Sequence, residues 1–308
     1  MDIIRRTSVV LVLAGLAAAW LAGPAAAANW RQQYPVLRYG VITTDTGDAL
    51  SSVYKGFDAY LSRTLGVKTE MFFAAEYAAV IEALKSNRIQ LAQLYAGSYA
   101  AAYDAIQQDI QPLAMNIDKH GGTGYKSYLV VKADSPYRTL ADLKGKKLAM
   151  SDPNSTSGYI MPTYYLHKQG VKLDEFFSRT QFVGGHEPGL LAILAGTYDA
   201  MFTYRYDHGE DGAILRLEKR GMVPKGAFRE VWVTPGQAPN DPWTVRKSAP
   251  ADFKADVTKA LLDLPTADPQ AWDALYRGAM RELVPVTHDT FADFVEIRRF
   301  NERMRRGR

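Results

Sequence analysis

The stretch "DPNSTSGYIMP" (152–162) sets three hydroxyl side chains, Ser155, Thr156 and Ser157, in a row between a proline turn and a glycine. A strand-like "KKLAM" precedes it and a helix-like "GYIMPTYYLHKQ" overlaps its end, with no lysine or arginine adjacent to the hydroxyls. Free N–H groups at a helix start, with the helix dipole behind them, bind an oxyanion without a cationic side chain. Hydroxyls add donors that rotate to suit a tetrahedral group. The same residues also make an ordinary helix cap, and a serine there could be a nucleophile. All three readings are open from the spacing.

A nucleophile needs a base and an orienting acid. His186, in "VGGHEPG", and Asp199, in "TYDA", are available, but the nucleophile-elbow pattern wants glycine where Ser155 stands. A metal site could be drafted from Asp207, His208, Glu210 and Asp211 in "YDHGED", yet no established ligand spacing supports it and a solvated loop explains it better. "HGGTGY" (120–125) fits neither the phosphate-loop nor the dinucleotide pattern and reads as a turn. Aromatics gather near these loops: Tyr77, Tyr95, Tyr99, Tyr125, Tyr204, Tyr206 and Trp243. Asp241 stands two residues before Trp243 in "APNDPWTVR", and an acid beside an aromatic can hold an ammonium group. A turn aspartate preceding proline has the same spelling.

Composition narrows the class. The 308 residues contain no cysteine, so there is no lipidation site, disulfide or thiolate chemistry. A formal net charge of +4 is too mild to point to nucleic acid. At the N-terminus, Arg5 and Arg6, an apolar run from Val9 to Leu21, and Ala26 and Ala28 in A-x-A spacing form a secretory signal peptide. Cleavage is expected after Ala28, removing residues 1–28 and leaving a soluble periplasmic protein.

Strand-like and helix-like segments alternate to position these residues. Strands are expected at 37–43, 67–73, 89–94, 125–133, 197–203 and 229–234, and at the ends of 139–150 and the start of 180–185. Helices are expected at 47–66, 76–88, 97–106 and 186–196, and the last stretch reads as helices only, near 250–264, 269–282 and 289–304. Short strands alternating with helices predict parallel βαβ units. Two α/β lobes follow, one inserted in the other: residues 29–130 with 237–308, and residues 131–236. In such folds, ligands sit outside the carboxyl ends of strands, where residues 155–158 fall.

"FFAAEY", "GYKSYLVVKADSP", "DPNSTSGYIMP", "GHEPGLLAI" and "PNDPWTVR" occur in an order that resembles the phosphate/phosphite/phosphonate substrate-binding proteins of ABC transporters, most closely the phosphonate-binding branch. The resemblance covers about residues 37–265. It implies a type II periplasmic binding protein fold, with a ligand cleft between two lobes and a membrane permease as partner, and no enzyme activity, cofactor or metal. It assigns Ser155, Thr156, Ser157, Tyr77, Tyr125 and His186 to the phosphonate head, and Asp241 to an amine on the tail. Where that branch has a second acid, this chain has Tyr206, with Asp207 one residue later. The implied ligand is a phosphonate, with 2-aminoethylphosphonate as first candidate; phosphite or phosphate would need a smaller pocket, closed by Tyr206 and Trp243.

Overall fold

The computed structural model describes residues 29–43, 48–206 and 211–307. The expected signal peptide and Asp207 lie outside them.

Two six-stranded sheets organise the chain. The first begins with β1 (Val36–Ile42), β2 (Lys68–Ala74), β3 (Leu91–Gln93) and β4 (Gln111–Asp118). The chain then builds the second sheet from β5 (Gly124–Lys132), β6 (Lys147–Met150), β7 (Arg179–Phe182), β8 (Ala200–Tyr206), β9 (Phe228–Val233) and β10 (Ala238–Pro239). It returns to the first through β11 (Pro242–Val245) and β12 (Met280–Pro285). The strand orders are β12-β4-β11-β3-β1-β2 and β10-β5-β8-β6-β7, with β9 also on β5. Each sheet centres one lobe of a two-lobe type II periplasmic binding protein fold.

The expected parallel units hold for β1 with β2 and β3, and for β6 with β7 and β8. The strands flanking the two crossings run antiparallel instead: β11 to β3 and β4, and β5 to β8, β9 and β10. A strand that leaves its sheet for the other has no helix to turn it round, so it adds antiparallel to what is already there. The change of sheet falls between Asp118 and Gly124 on the way out and between Pro239 and Pro242 on the way back. The sequence placed these crossings near 130 and 236. Alternation within "GYKSYLVVK" looks the same in either sheet, so the glycine cluster ahead of it was the better marker. Asn240 ties the crossings together, its Nδ2 donating to the carbonyls of Asn116 at 2.9 Å and Gly122 at 3.3 Å.

Helices α1 (Trp30–Gln33), α2 (Asp48–Leu65), α3 (Tyr77–Lys85) and α4 (Ala96–Ala105) belong to the first lobe. The second holds a π-helical turn at Thr156–Ile160 running into α5 (Met161–Lys168), then α6 (Leu173–Phe176), α7 (His186–Leu194) and α8 (Ala213–Lys219). After β11 come α9 (Ala251–Ala267), α10 (Pro269–Tyr276) and α11 (Ala292–Arg306). The last part of the chain is therefore not helical throughout. Arg277 (φ 54°) and Gly278 (φ 68°) turn the chain left-handed and end α10, and β12 follows with Met280 and Leu283 buried. The final helix α11 touches both lobes: Arg298 pairs with Asp104 of α4 at 3.0 Å, and Asn301 Nδ2 donates to the Ile160 carbonyl at 2.8 Å.

Candidate ligand-binding site

Between the sheets lies a cavity of about 90 Å³. A single water needs on the order of 10–15 Å³ on this scale, so the space is large enough for a small molecule. Five helices begin at its wall. Tyr77 opens α3, Tyr95 caps α4, Ser155 caps the turn into α5, His186 opens α7 and Ala213 opens α8, and all five residues line the cavity. The positive ends of helix dipoles thus converge on one volume.

The hydroxyl loop is fixed from within. Asp152 Oδ1 accepts from the Asn154 N–H at 2.7 Å, and Ser155 Oγ accepts from the Gly158 N–H at 3.1 Å. Ile160 N–H reaches the Ser155 carbonyl at 2.9 Å, five residues back, which widens the first turn into a π-type turn. A Cβ on Gly158 would meet Ser151 Cβ at 2.4 Å, so only glycine lets that turn sit on β6. Thr156 Oγ1 accepts from the Gly97 N–H of α4 at 2.8 Å, joining the lobes. Gly97 is needed for that approach, because a Cβ there would stand 3.0 Å from Thr156 N and 2.8 Å from Ile160 Cδ1. Ser157 Oγ lies 3.4 Å from His186 Nε2. Burial holds the His186 imidazole down at about 4, so the ring is neutral near neutral pH. Burial also pushes the Tyr77 and Tyr125 phenols well up, keeping them as neutral donors.

Charged groups also line the wall, and Glu187, next to His186, pairs with Arg220 at 2.5 Å. Asp241 enters from the return crossing, its N–H donating to Asn116 Oδ1 at 3.2 Å. Its Oδ1 is buried without a hydrogen-bond partner. Burial pushes its carboxyl up to about 8; Arg216 pulls it down and Asp211 adds to the rise. Arg216 of α8 lines the cavity and is held in a fork by Asp211, Nε to Oδ1 at 2.7 Å and Nη2 to Oδ2 at 2.5 Å. Burial works against the Asp211 charge, but the Arg216 guanidinium outweighs it and holds that carboxyl below its usual range. Arg277 lines the cavity from the first lobe. Tyr206 faces Tyr125 across the β5–β8 ladder, the rings 5.7 Å apart, with Tyr204 and His186 completing the aromatic wall at 5.1 Å from each other.

Eight of the nine residues expected at the site therefore border one cavity: Ser155, Thr156, Ser157, Tyr77, Tyr125, His186, Asp241 and Tyr206. The ninth, Asp207, lies outside the described residues. Trp243 does not join them. It is wholly buried on β11, packed on Phe57 and donating to the Tyr276 hydroxyl at 3.1 Å, so it neither closes the pocket nor stacks on a ligand. Tyr99 is likewise core, its hydroxyl 3.0 Å from His288 Nδ1. Asp199 accepts from Lys147 N–H at 2.8 Å and Tyr137 Oη at 3.1 Å, so the drafted Ser/His/Asp relay is not assembled. Of the drafted metal ligands, Asp211 is committed to Arg216, and among the described residues no group of three acids or histidines could hold a metal. Sequence reasoning missed Arg216 and Arg277. Each looks like the basic end of a solvated helix, and no local signal separates it from one.

The chain matches the family model described as "ABC transporter, phosphonate, periplasmic substrate-binding protein" over residues 39–291. It is 30% identical over 227 residues to the phosphonates-binding periplasmic protein of Escherichia coli K12, a match covering 72% of this chain and 64% of that protein. A phosphate-import protein of Mycolicibacterium smegmatis is 30% identical over 200 residues, covering 62% of this chain and 60% of that one. The chain thus spans slightly under two thirds of either relative. In fold it is similar to the crystal structure of a binding-protein component of a phosphonate ABC transporter from Pseudomonas aeruginosa, with a TM-score of 0.76, 24% identity and 87% of both chains covered. On these grounds, with the cavity geometry beside them, the chain belongs to the phosphonate periplasmic substrate-binding proteins of ABC transporters.

Proposed function

We propose that this chain is exported to the periplasm, captures aminoalkyl phosphonates, of which 2-aminoethylphosphonate is the simplest, and delivers them to a membrane permease. The observation that carries the reading is the meeting of helix starts and three consecutive hydroxyls on a cavity that also holds the unpartnered Oδ1 of Asp241. Neutral donors at Ser155, Thr156, Ser157, Tyr77, Tyr125 and His186 take the phosphonate oxygens. An ammonium on the tail supplies the counter-charge that makes burial of an ionised Asp241 tolerable. Binding is reversible and involves no turnover, because the cradle offers dipoles and hydroxyls rather than an activated nucleophile. The Thr156–Gly97 hydrogen bond is the kind of contact that would form as the lobes close on a ligand.

Calorimetric titration of the purified protein with 2-aminoethylphosphonate, methylphosphonate, phosphite and phosphate tests this. The expected order places 2-aminoethylphosphonate first and methylphosphonate second. Preference for phosphite or phosphate would overturn the assignment of Asp241. Turnover of a phosphonate or carboxylate ester, lost in Ser157→Ala, would overturn the binding-protein reading itself.

A further inference from the structure

Opposite charges face the same small cavity, and a tail bearing only an ammonium answers one of them. Asp241 offers a buried oxygen with no partner. Arg216, from the other lobe, lines the same space. Asp211 engages its Nε and one terminal nitrogen, fixing the plane of the guanidinium, and the Tyr204 ring lies 5.8 Å from its centre. A guanidinium carries five N–H donors, so this fork leaves donors over. Donors that face the cavity need an acceptor once a ligand expels the water. Arg277 borders the space from the first lobe. An ammonium on Asp241 would sit in the field of the Arg216 guanidinium, which Asp211 offsets only in part, and a carboxylate on the same molecule relieves the remaining repulsion.

We propose that the ligand's tail carries a carboxylate as well as an ammonium, making it an amino-acid phosphonate such as 2-amino-3-phosphonopropionate. Asp241 holds the ammonium and Arg216 the carboxylate. This rests on the reading of residues 155–157 as the site of the phosphonate head. It makes Arg216, fixed by Asp211, the residue that chooses among aminoalkyl phosphonates.

Four ligands with one head separate the two readings: methylphosphonate, 2-aminoethylphosphonate, 3-phosphonopropionate and 2-amino-3-phosphonopropionate, each titrated calorimetrically into the purified protein. The amino-acid phosphonate should bind roughly tenfold or more tightly than 2-aminoethylphosphonate, a single good charge-assisted contact. In Asp211→Asn/Arg216→Gln, which removes the pair without stranding a buried charge, that advantage should vanish while methylphosphonate binding holds. If 2-aminoethylphosphonate binds as tightly as the amino-acid form, this proposal fails and the phosphonate reading stands. A loss of methylphosphonate in the folded double variant would put Arg216 on the head and also overturn it. Binding of none of the four would remove the head site and this proposal with it.

Discussion

The two sides of the cavity solve the recognition of charge in different ways. The side built from Ser155, Thr156 and Ser157 uses backbone and hydroxyl dipoles, with neutral His186 and two protonated phenols around it and the neighbouring Glu187 carboxylate paired with Arg220. The other side uses full charges: Asp241, Arg277 and the Asp211–Arg216 pair. Dipoles fixed by a fold need no counter-ion, so the dipolar side can be pre-formed at little cost. A full charge in the same setting must be paired or neutralised, which is why burial raises the Asp241 carboxyl to about 8. The dipolar side should therefore govern whether a phosphonate binds, and the charged side which one.

The sharpest break of that comparison is Thr156→Val. It keeps the shape but removes an acceptor for Gly97 N–H and a donor for the ligand, so every phosphonate should weaken by roughly 10- to 100-fold in calorimetry. Loss confined to amine-bearing ligands would contradict the division of labour. Asp241→Asn comes next. It should reduce affinity for 2-aminoethylphosphonate by about tenfold or more and leave methylphosphonate within about twofold; equal losses would remove the ammonium role.

A ligand-free comparison sharpens the same point. Because the folded-state Asp241 carboxyl is raised from its usual value near 3.8 to about 8, the folded protein holds a proton there that the unfolded chain has released. Its contribution is fully present below about pH 4 and is lost as pH rises to about 8. Asp241→Asn has no charge to bury. Its melting temperature should gain on that of the parent between pH 5 and 8 and run parallel above, and a constant offset would contradict the buried charge. The smallest effect on binding is expected from Trp243→Phe. That change removes a core contact and the Tyr276 hydrogen bond, so denaturation should show about 1–3 kcal/mol of lost stability with ligand preference unchanged. A switch toward phosphite would mean that Trp243 shapes the pocket after all.

What could be read from the sequence divides along the same line. The dipolar side is spelled in one contiguous loop, where turn, hydroxyls and glycine each have a local reason, so "DPNSTSG" could be singled out although its spacing left cap, anion cradle and nucleophile open. The charged side is assembled from α8, the end of α10 and the return crossing, which meet only in the folded molecule. Arg216 lies in "AILRLEK" and Arg277 in "LYRG", and both carry the spelling of a helix facing water. Alternating βαβ order was legible, but the strands β4, β11 and β12 were not, because each is defined by an antiparallel partner far along the chain. Trp243 shows the converse error: two residues from Asp241 in sequence, it points into the core that β11 helps to build.

The most direct test is a crystal structure of the complex with 2-aminoethylphosphonate. Phosphonate oxygens within hydrogen-bond distance of Ser155, Thr156 and Ser157, with the amine nitrogen on Asp241, are the predicted result. A phosphonate seated on Arg216 or Arg277, with the amine directed toward residues 155–157, would contradict the account.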